Sequence, residues 1–181
     1  MTAATMTPTS TAKASVARPG FDIGPAARAL VSIACFTMCF FCVLALGRVA
    51  MGMVDSLHHY TKLPVIIHVA TVLPAIPLGG YLLLAKKGTA LHKQLGKVWL
   101  VLMLVTATSA IFIQSSGGFS FIHVFVPITF HAAWKVVATA RKGDIAAHKK
   151  HLVFTYLTAL MIPGIFAFAI PGRLMNVMLV G

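Results

Sequence analysis

The residues of this 181-residue chain that could do chemistry are mainly four histidines. They form two candidate pairs, His68 with His123 and His92 with His148. Neutral imidazole is a common iron ligand, and two imidazoles on facing helices can fill both axial positions of one haem. His68 and His123 fall within apolar runs, where an ionisable side chain is costly and therefore indicates a site. His92 and His148 fall among lysines, where contact with lipid headgroups is the alternative. The pairs predict ligation of haem iron, with electron transfer as the chemistry.

Further side chains are secondary candidates beside these pairs. His151 is an alternative ligand in the second pair, one helical turn after its last member. His131 lies about 12 Å along its helix from His123 at the rise of an α-helix, and it could replace that ligand, bind a substrate or hydrogen-bond across the bundle. Arg173 and Lys62 are placed to neutralise the propionates of a haem held by the first pair.

Three cysteines in the first apolar run have a spacing of their own. Cys35, Cys39 and Cys42 recur at i, i+4 and i+7, so they share one helix face. With Met38 they could capture a soft metal ion. Packing of small, polarizable side chains against a neighbouring helix explains the same spacing more simply, and we favour that interpretation.

The composition places all these residues in a membrane protein. The chain is 59% hydrophobic and 10% charged, with a mean hydropathy of +0.91, whereas soluble domains are about 45–50% apolar and about a quarter charged. The chain has no glutamate, which excludes a di-iron carboxylate bundle because those sites use several glutamates. The formal net charge of +12 does not indicate a nucleic-acid partner. Cytoplasmic loops of membrane proteins are enriched in lysine and arginine, and this enrichment is sufficient to explain the charge.

Apolar runs of about 20 residues, the length that crosses a bilayer, predict an all-α polytopic protein with five transmembrane helices. Residues 1–26 are expected to form a disordered cytoplasmic tail, and residues 27–53 an extra N-terminal transmembrane helix. Residues 63–175 are expected to form a four-helix bundle core. A Ser-Ser-Gly-Gly turn at 115–118 divides one long apolar stretch into two helices, and Pro163 is expected to kink the last helix.

Lysine and arginine also set the expected orientation. Twelve of the fifteen fall on the side of the N-terminus, and only Arg48, Lys62 and Arg173 fall on the other side. By the positive-inside rule, the N-terminus is cytoplasmic and the C-terminus is periplasmic or extracellular. We therefore expect the protein in the inner, cytoplasmic membrane, with the lipid bilayer as its surroundings.

A shift of 55 residues aligns the chain with itself. Ile67-His68-Val69 then matches Ile122-His123-Val124, and Ala85-Lys86-Lys87-Gly88 matches Ala140-Arg141-Lys142-Gly143. We interpret residues 63–117 and 118–172 as tandem hairpins related by an axis along the membrane normal. The alternative is that two basic glycine turns arose independently at the ends of two spans. With that axis, the second and fourth helices are diagonal partners, as are the third and fifth, so the members of each histidine pair face each other.

Two motifs carry a resemblance to a known family. The stretch Leu91-His92-Lys93-Gln94-Leu95-Gly96-Lys97, and Lys142-Gly143-Asp144 followed by His148, resemble an uncharacterised bacterial integral-membrane family over residues 63–175. That resemblance, to a domain of unknown function, implies a four-helix core with spaced histidines. The four histidine positions and the helix order also resemble the di-haem b-type transmembrane cytochromes, which implies one or two b haems.

The expected function is therefore transmembrane electron transfer through one or two b haems, in an oxidoreductase or electron carrier with a redox partner. The alternative is a cofactor-free membrane subunit or assembly partner of a larger complex, in which the histidines bridge helices or contact headgroups. A small-molecule or metal-ion transporter has less support, because the apolar runs carry no acidic residue for coupling.

Overall fold

The computed structural model describes residues 23–54, 57, 61–114, 118 and 120–180. Most of the predicted tail and residues 115–117 of the predicted turn lie outside this range. A 3-10 turn precedes the fourth helix, and a π turn, Tyr156–Met161, interrupts the last long helical segment. The helices are α1 (Pro25–Ala50), α2 (Leu63–Leu84), α3 (Ala90–Ile111), α4 (Phe125–Lys142), α5 (Ile145–Thr155), α6 (Ile162–Ala169) and α7 (Leu174–Val180).

Five helical segments are long and apolar enough to cross a membrane. Three of them are α1, α2 and α3, the fourth is α4 with its preceding 3-10 turn, Phe121–Val124, and the fifth runs through α5, the π turn and α6. Over the described ranges the chain forms helices and no strand. The predictions of an all-α fold and of five spans are confirmed.

The boundaries of the first span differ slightly from the expected ones. α1 begins at Pro25, inside the tail that was expected to continue to residue 26. Proline is favoured in the first turn of a helix, because its fixed φ suits the helix and its missing N–H is not needed there. α1 ends at Ala50 instead of residue 53, and Gly52 follows with a φ of 69°, a left-handed conformation that ends a helix.

The four helical segments after α1 form a closed ring. α2 packs against α3, α3 against α4, α4 against α5, and the π turn closes the ring by packing against α2. The second and fourth spans are therefore diagonal, as expected for a four-helix bundle. α1 packs outside the ring against α2, the π turn and α7.

The bundle has two chemically different ends. At one end, the α2–α3 and α4–α5 connections (residues 84–90 and 142–145) are rich in lysine and arginine, and we call it the basic end. At the other end lie the described residues near 50–54, 61–63, 111–114 and 170–173, and we call it the cavity end for the feature described below.

The two connections at the basic end have the same local structure. Gly88 and Gly143 both have positive φ angles, 82° and 71°. Thr89 Oγ1 then accepts a hydrogen bond from the N–H of His92 at 3.1 Å, and Asp144 Oδ1 accepts one from the N–H of Ala147 at 2.9 Å. Thr89 and Asp144 are therefore the N-caps of α3 and α5. They agree with the proposed repeat, although the duplication itself stays a prediction.

The centre of the molecule is built around α2. Two glycines there leave no room for a side chain, because a Cβ at Gly79 would lie 2.6 Å from Trp99 Nε1 and one at Gly80 would overlap Cys35 Sγ. Trp99 donates a hydrogen bond from Nε1 to the carbonyl of Ala75 at 3.0 Å. Close packing and buried hydrogen bonds thus join α1 and α3 to the same stretch of α2.

Tyr156, the first residue of the π turn, closes this centre from the fifth span. Its side chain is fully buried, and its hydroxyl donates to the carbonyl of Ile76 at 3.1 Å. The π turn ends just before Pro163, which lacks an N–H and was expected to kink the helix. A π turn widens the helix by one residue, a frequent source of local irregularity in long helices.

Candidate functional site

A cavity of about 940 Å³ enters the bundle from the cavity end. Ligand-binding sites in proteins have volumes of about 300–1,000 Å³, so this cavity is large enough for an extended organic molecule. Most of its walls are apolar side chains from α1, α2, α3, α4 and α6. Its polar groups are few, and they include His68, His123 and Arg173.

His68 contributes to the wall from α2, and its ring is fixed by the neighbouring helix. Its Nδ1 lies 3.0 Å from the carbonyl oxygen of Thr106 and 3.2 Å from Ser109 Oγ, both on α3. A carbonyl oxygen only accepts hydrogen bonds, so Nδ1 carries the proton and Nε2 keeps a lone pair. A histidine held in this way has the tautomer that metal-ligating histidines use.

A small polar network supports this ring between α2 and α3. Thr71 Oγ1 and Thr106 Oγ1 are 2.8 Å apart, and Ser109 Oγ donates to the carbonyl of Thr106 at 2.8 Å. Thr106 and Ser109 are buried. Because buried polar groups need partners, this network fixes how the two helices meet beside His68.

His123 is held differently, in the 3-10 turn that leads into α4. Its Nδ1 lies 3.0 Å from the backbone nitrogen of Ser120 and 3.1 Å from the carbonyl oxygen of Ser120. Accepting from the N–H places the proton on Nε2, which is buried. Donating to the carbonyl leaves Nε2 with the lone pair that a metal ligand needs.

Two basic side chains line the same cavity, Lys62 and Arg173. Arg173 donates from Nη2 to Ser120 Oγ at 3.4 Å, so Ser120 contacts both Arg173 and His123. Among the described residues lining the cavity, none is acidic. Asp144, the acidic residue in the described ranges, caps α5 at the basic end. The described lining of the cavity therefore contains two basic side chains and no carboxylate.

The second histidine pair lies at the basic end. His92 lies in the first turn of α3 and His148 in the first turn of α5, so both are at this end of the bundle. His148 donates from Nδ1 to the carbonyl of Val136 at 3.0 Å, which ties α5 to α4. Neither His92 nor His148 lines the large cavity.

The secondary candidates divide in the same way. Arg173 lines the cavity, whereas His131 and His151 do not. The ring of His131 is exposed on the outside of α4, with its centroid 5.8 Å from that of Trp134. His131 therefore lies apart from His123 and the cavity, and its role as a ligand, a substrate contact or a hydrogen-bonding residue stays a prediction.

Sequence reasoning missed the polar residues that hold the histidines. Thr106, Ser109 and Ser120 become partners only through packing between helices or through a turn. The spacing Ser120-x-x-His123 is a recognisable signal, because a side chain three residues after an N-cap can bond back to the cap. The structure gives this capping box at the 3-10 turn.

The cysteines face the interior, as the packing interpretation predicted. Cys42 is buried and lines the cavity, and Cys35 Sγ lies against Gly80 of α2. In the described part of the chain, no three His, Cys, Asp or Glu side chains converge as a metal site.

A profile of predicted membrane proteins, DUF2306, matches residues 65–176, more than half of the chain. The chain belongs to the DUF2306 family. The function of this family is unknown. No curated protein and no solved structure matched the sequence.

The DUF2306 region contains most of the candidate site. His68, His123, Ser120 and Arg173 all fall within it. α1 lies before it, although Met38 and Cys42 of α1 form part of the cavity wall. The site therefore combines a DUF2306 core with a wall from the preceding helix.

Proposed function

We propose that this integral membrane protein holds one b-type haem in the cavity and transfers electrons through it. The observation that carries the proposal is that His68 and His123, from diagonal spans, line one cavity. The bound haem would supply reversible one-electron chemistry at its iron. The chain would supply imidazoles of His68 and His123 as ligands, apolar walls, and basic groups for the propionates.

The residues present fit this group to different degrees. His68 already has the ligating tautomer, since Nδ1 donates to Thr106. His123 fits when its Nδ1 donates to the carbonyl of Ser120, because Nε2 then has the lone pair. Arg173 and Lys62 lie on the same cavity wall, and their charges favour carboxylates there.

The proposal includes one haem and not two. His92 and His148 do not line the large cavity, so the proposal places no haem between them. Their position among lysines at the basic end suits contact with headgroups at the membrane surface. We also propose, from the positive-inside rule, that the basic end faces the cytoplasm.

Absorption spectroscopy tests this function directly. Protein purified from haem-replete cells and reduced with dithionite should show a sharp b-type alpha band, with one haem per chain by pyridine haemochrome assay. We expect H68A and H123A to lose the band, and H131A to keep it because that ring lies outside the cavity. Folding of each variant is checked by size-exclusion chromatography and helical circular dichroism.

Two results would overturn the haem proposal. One is a colourless, monodisperse wild-type protein from haem-replete cells. The other is an alpha band that survives in both H68A and H123A variants that are folded. H68Q and H123Q, which keep a polar side chain of similar length, replace any alanine variant that does not fold.

A second candidate function is that of a cofactor-free membrane subunit. It is favoured by the hydrogen bonds of His68 to α3 and of His148 to α4, which bridge neighbouring helices without a metal. This function requires a partner that co-purifies at fixed stoichiometry and remains bound when all four paired histidines are replaced. Loss of that partner together with the alpha band would favour the haem proposal instead.

A further inference from the structure

We infer that the cavity binds the carboxylate of a lipid-soluble molecule, with Arg173 as the anchor of that carboxylate. The inference concerns the class of ligand and is wider than haem, because two kinds of molecule could provide the carboxylate. One source is a haem propionate, and the other is a free long-chain fatty acid from the surrounding membrane.

The charge distribution points to an anionic group. Arg173 and Lys62 line the cavity, and none of its described lining residues is acidic. A guanidinium is planar and matches a carboxylate through two parallel N–H···O bonds. Ser120 Oγ accepts from Arg173 Nη2 at 3.4 Å, which orients the guanidinium on the wall beside His123.

The shape and polarity of the cavity point to a long apolar body behind that group. Lys62, the residue before α2, and Ile76 within α2 both line it, and the fourteen residue steps from one to the other span about 21 Å. The deeper walls are apolar, with Met103 of α3 and Leu160 of the π turn. Polar groups at one end and an apolar remainder match an amphiphile whose charge stays near the membrane surface.

The contribution of the contact between Arg173 and the carboxylate to affinity can be stated as a fold-change. Hydrogen bonds between charged groups are about twice as strong as those between neutral groups, and the loss of one lowers affinity about tenfold or more. Removing the charge from the ligand or from Arg173 should therefore weaken binding about tenfold or more. An uncharged ester of the same chain keeps the apolar contacts and loses only the charge.

The experiment compares cis-parinaric acid with its methyl ester, by fluorescence, on haem-free full-length protein in dodecyl maltoside. Wild type should bind the acid at least about tenfold more tightly than the ester. R173Q should remove this preference without weakening the ester, and R173K should restore part of it. R48Q is the matched control, since it removes a charge at the same end from a residue that does not line the cavity.

Equal affinities of wild type for acid and ester would overturn the inference. So would an R173Q variant that keeps the preference, or an R48Q variant that loses it to the same degree. If the methyl ester binds but does not displace the acid, the two ligands occupy separate sites, and the inference is likewise overturned.

Haem-loaded protein separates this inference from the proposed function. If haem never loads but the haem-free protein prefers the acid, the haem proposal fails and the carboxylate site stands with a fatty acid as ligand. If haem loads and excludes parinaric acid, and R173Q weakens both, the site accepts either source. If haem loads equally well in R173Q and the acid shows no preference, only the carboxylate inference fails.

Discussion

Single residues in α2 decide how closely the helices approach. Gly79 and Gly80 touch Trp99, Tyr156 and Cys35 directly, so the backbone of α2 lies against side chains from three other segments. Small residues allow such contacts between membrane helices, where apolar burial does not drive association because lipid is equally apolar.

We predict that Gly79→Ala destabilises the protein. An added methyl would overlap Trp99 and Tyr156, and overpacking of this kind costs about 1–3 kcal/mol. The measurement is thermal denaturation of detergent-solubilised protein. Gly96→Ala is the matched control, because a Cβ there meets nothing within 4 Å, and it should leave stability unchanged or raise it. Equal losses in both variants would contradict the prediction.

Tyr156 gives a second prediction at this scale. Tyr156→Phe removes the hydroxyl that donates to Ile76 but keeps the ring, so the free energy of unfolding should fall by about 1 kcal/mol. Tyr156→Ala also leaves a cavity and should cost about 3–5 kcal/mol. Denaturation of both variants under the same conditions checks the order, and a larger loss in the Phe variant would contradict it.

Some of the residues at the candidate site could be predicted from the sequence. It placed His68, His123 and Arg173 at a common site because the repeat and the span order fix which helix ends meet. It could not find Thr106 or Ser120, since their hydrogen bonds depend on the rotation of one helix against another. It left the role of His131 open, because the sequence of a single span gives no sign of which helix face is exposed.

At the scale of elements, helix boundaries follow local chemistry. Thr89 and Asp144 each follow a left-handed glycine and accept a hydrogen bond from the first turn of the next helix. The sequence predicted the five spans, because the length of an apolar run is a local signal. The π turn was not predicted, since a proline signals an irregularity without specifying its form.

We predict that Thr89→Ala and Asp144→Ala each reduce stability by about 1 kcal/mol, the usual cost of losing an N-cap. The loss should appear first as faster hydrogen exchange in the opening turns of α3 and α5. Thr89→Ser and Asp144→Asn keep an accepting oxygen and should retain most of the protection. Unchanged exchange in the alanine variants would show that the caps contribute little in the membrane.

At the scale of the whole molecule, charge separates the two ends of the bundle. Lysine and arginine dominate the basic end, whereas Arg48, Lys62 and Arg173 lie at the cavity end. The ring order of the helices was predictable because short connections make neighbouring spans antiparallel partners. The cavity was not predictable, since its volume is what remains after all the side chains have packed.

Reporter fusions test the orientation that this asymmetry predicts. An alkaline phosphatase fused after residue 180 should be active, because the C-terminus is predicted outside, and a fluorescent protein at the same point should stay dark. Fusions in the α4–α5 connection should behave in the opposite way. The reverse pattern would contradict the predicted orientation and would place the cavity end on the cytoplasmic side.

The position of α1 also bears on how a ligand reaches the interior. Met38 and Cys42 form part of the cavity wall, yet α1 stands outside the four-helix ring. Without this helix, the chamber would lie open along its flank to the acyl chains of the bilayer. α1 thus forms the wall between this side of the cavity and the surrounding lipid, and any molecule that entered the cavity from that side would have to pass this helix.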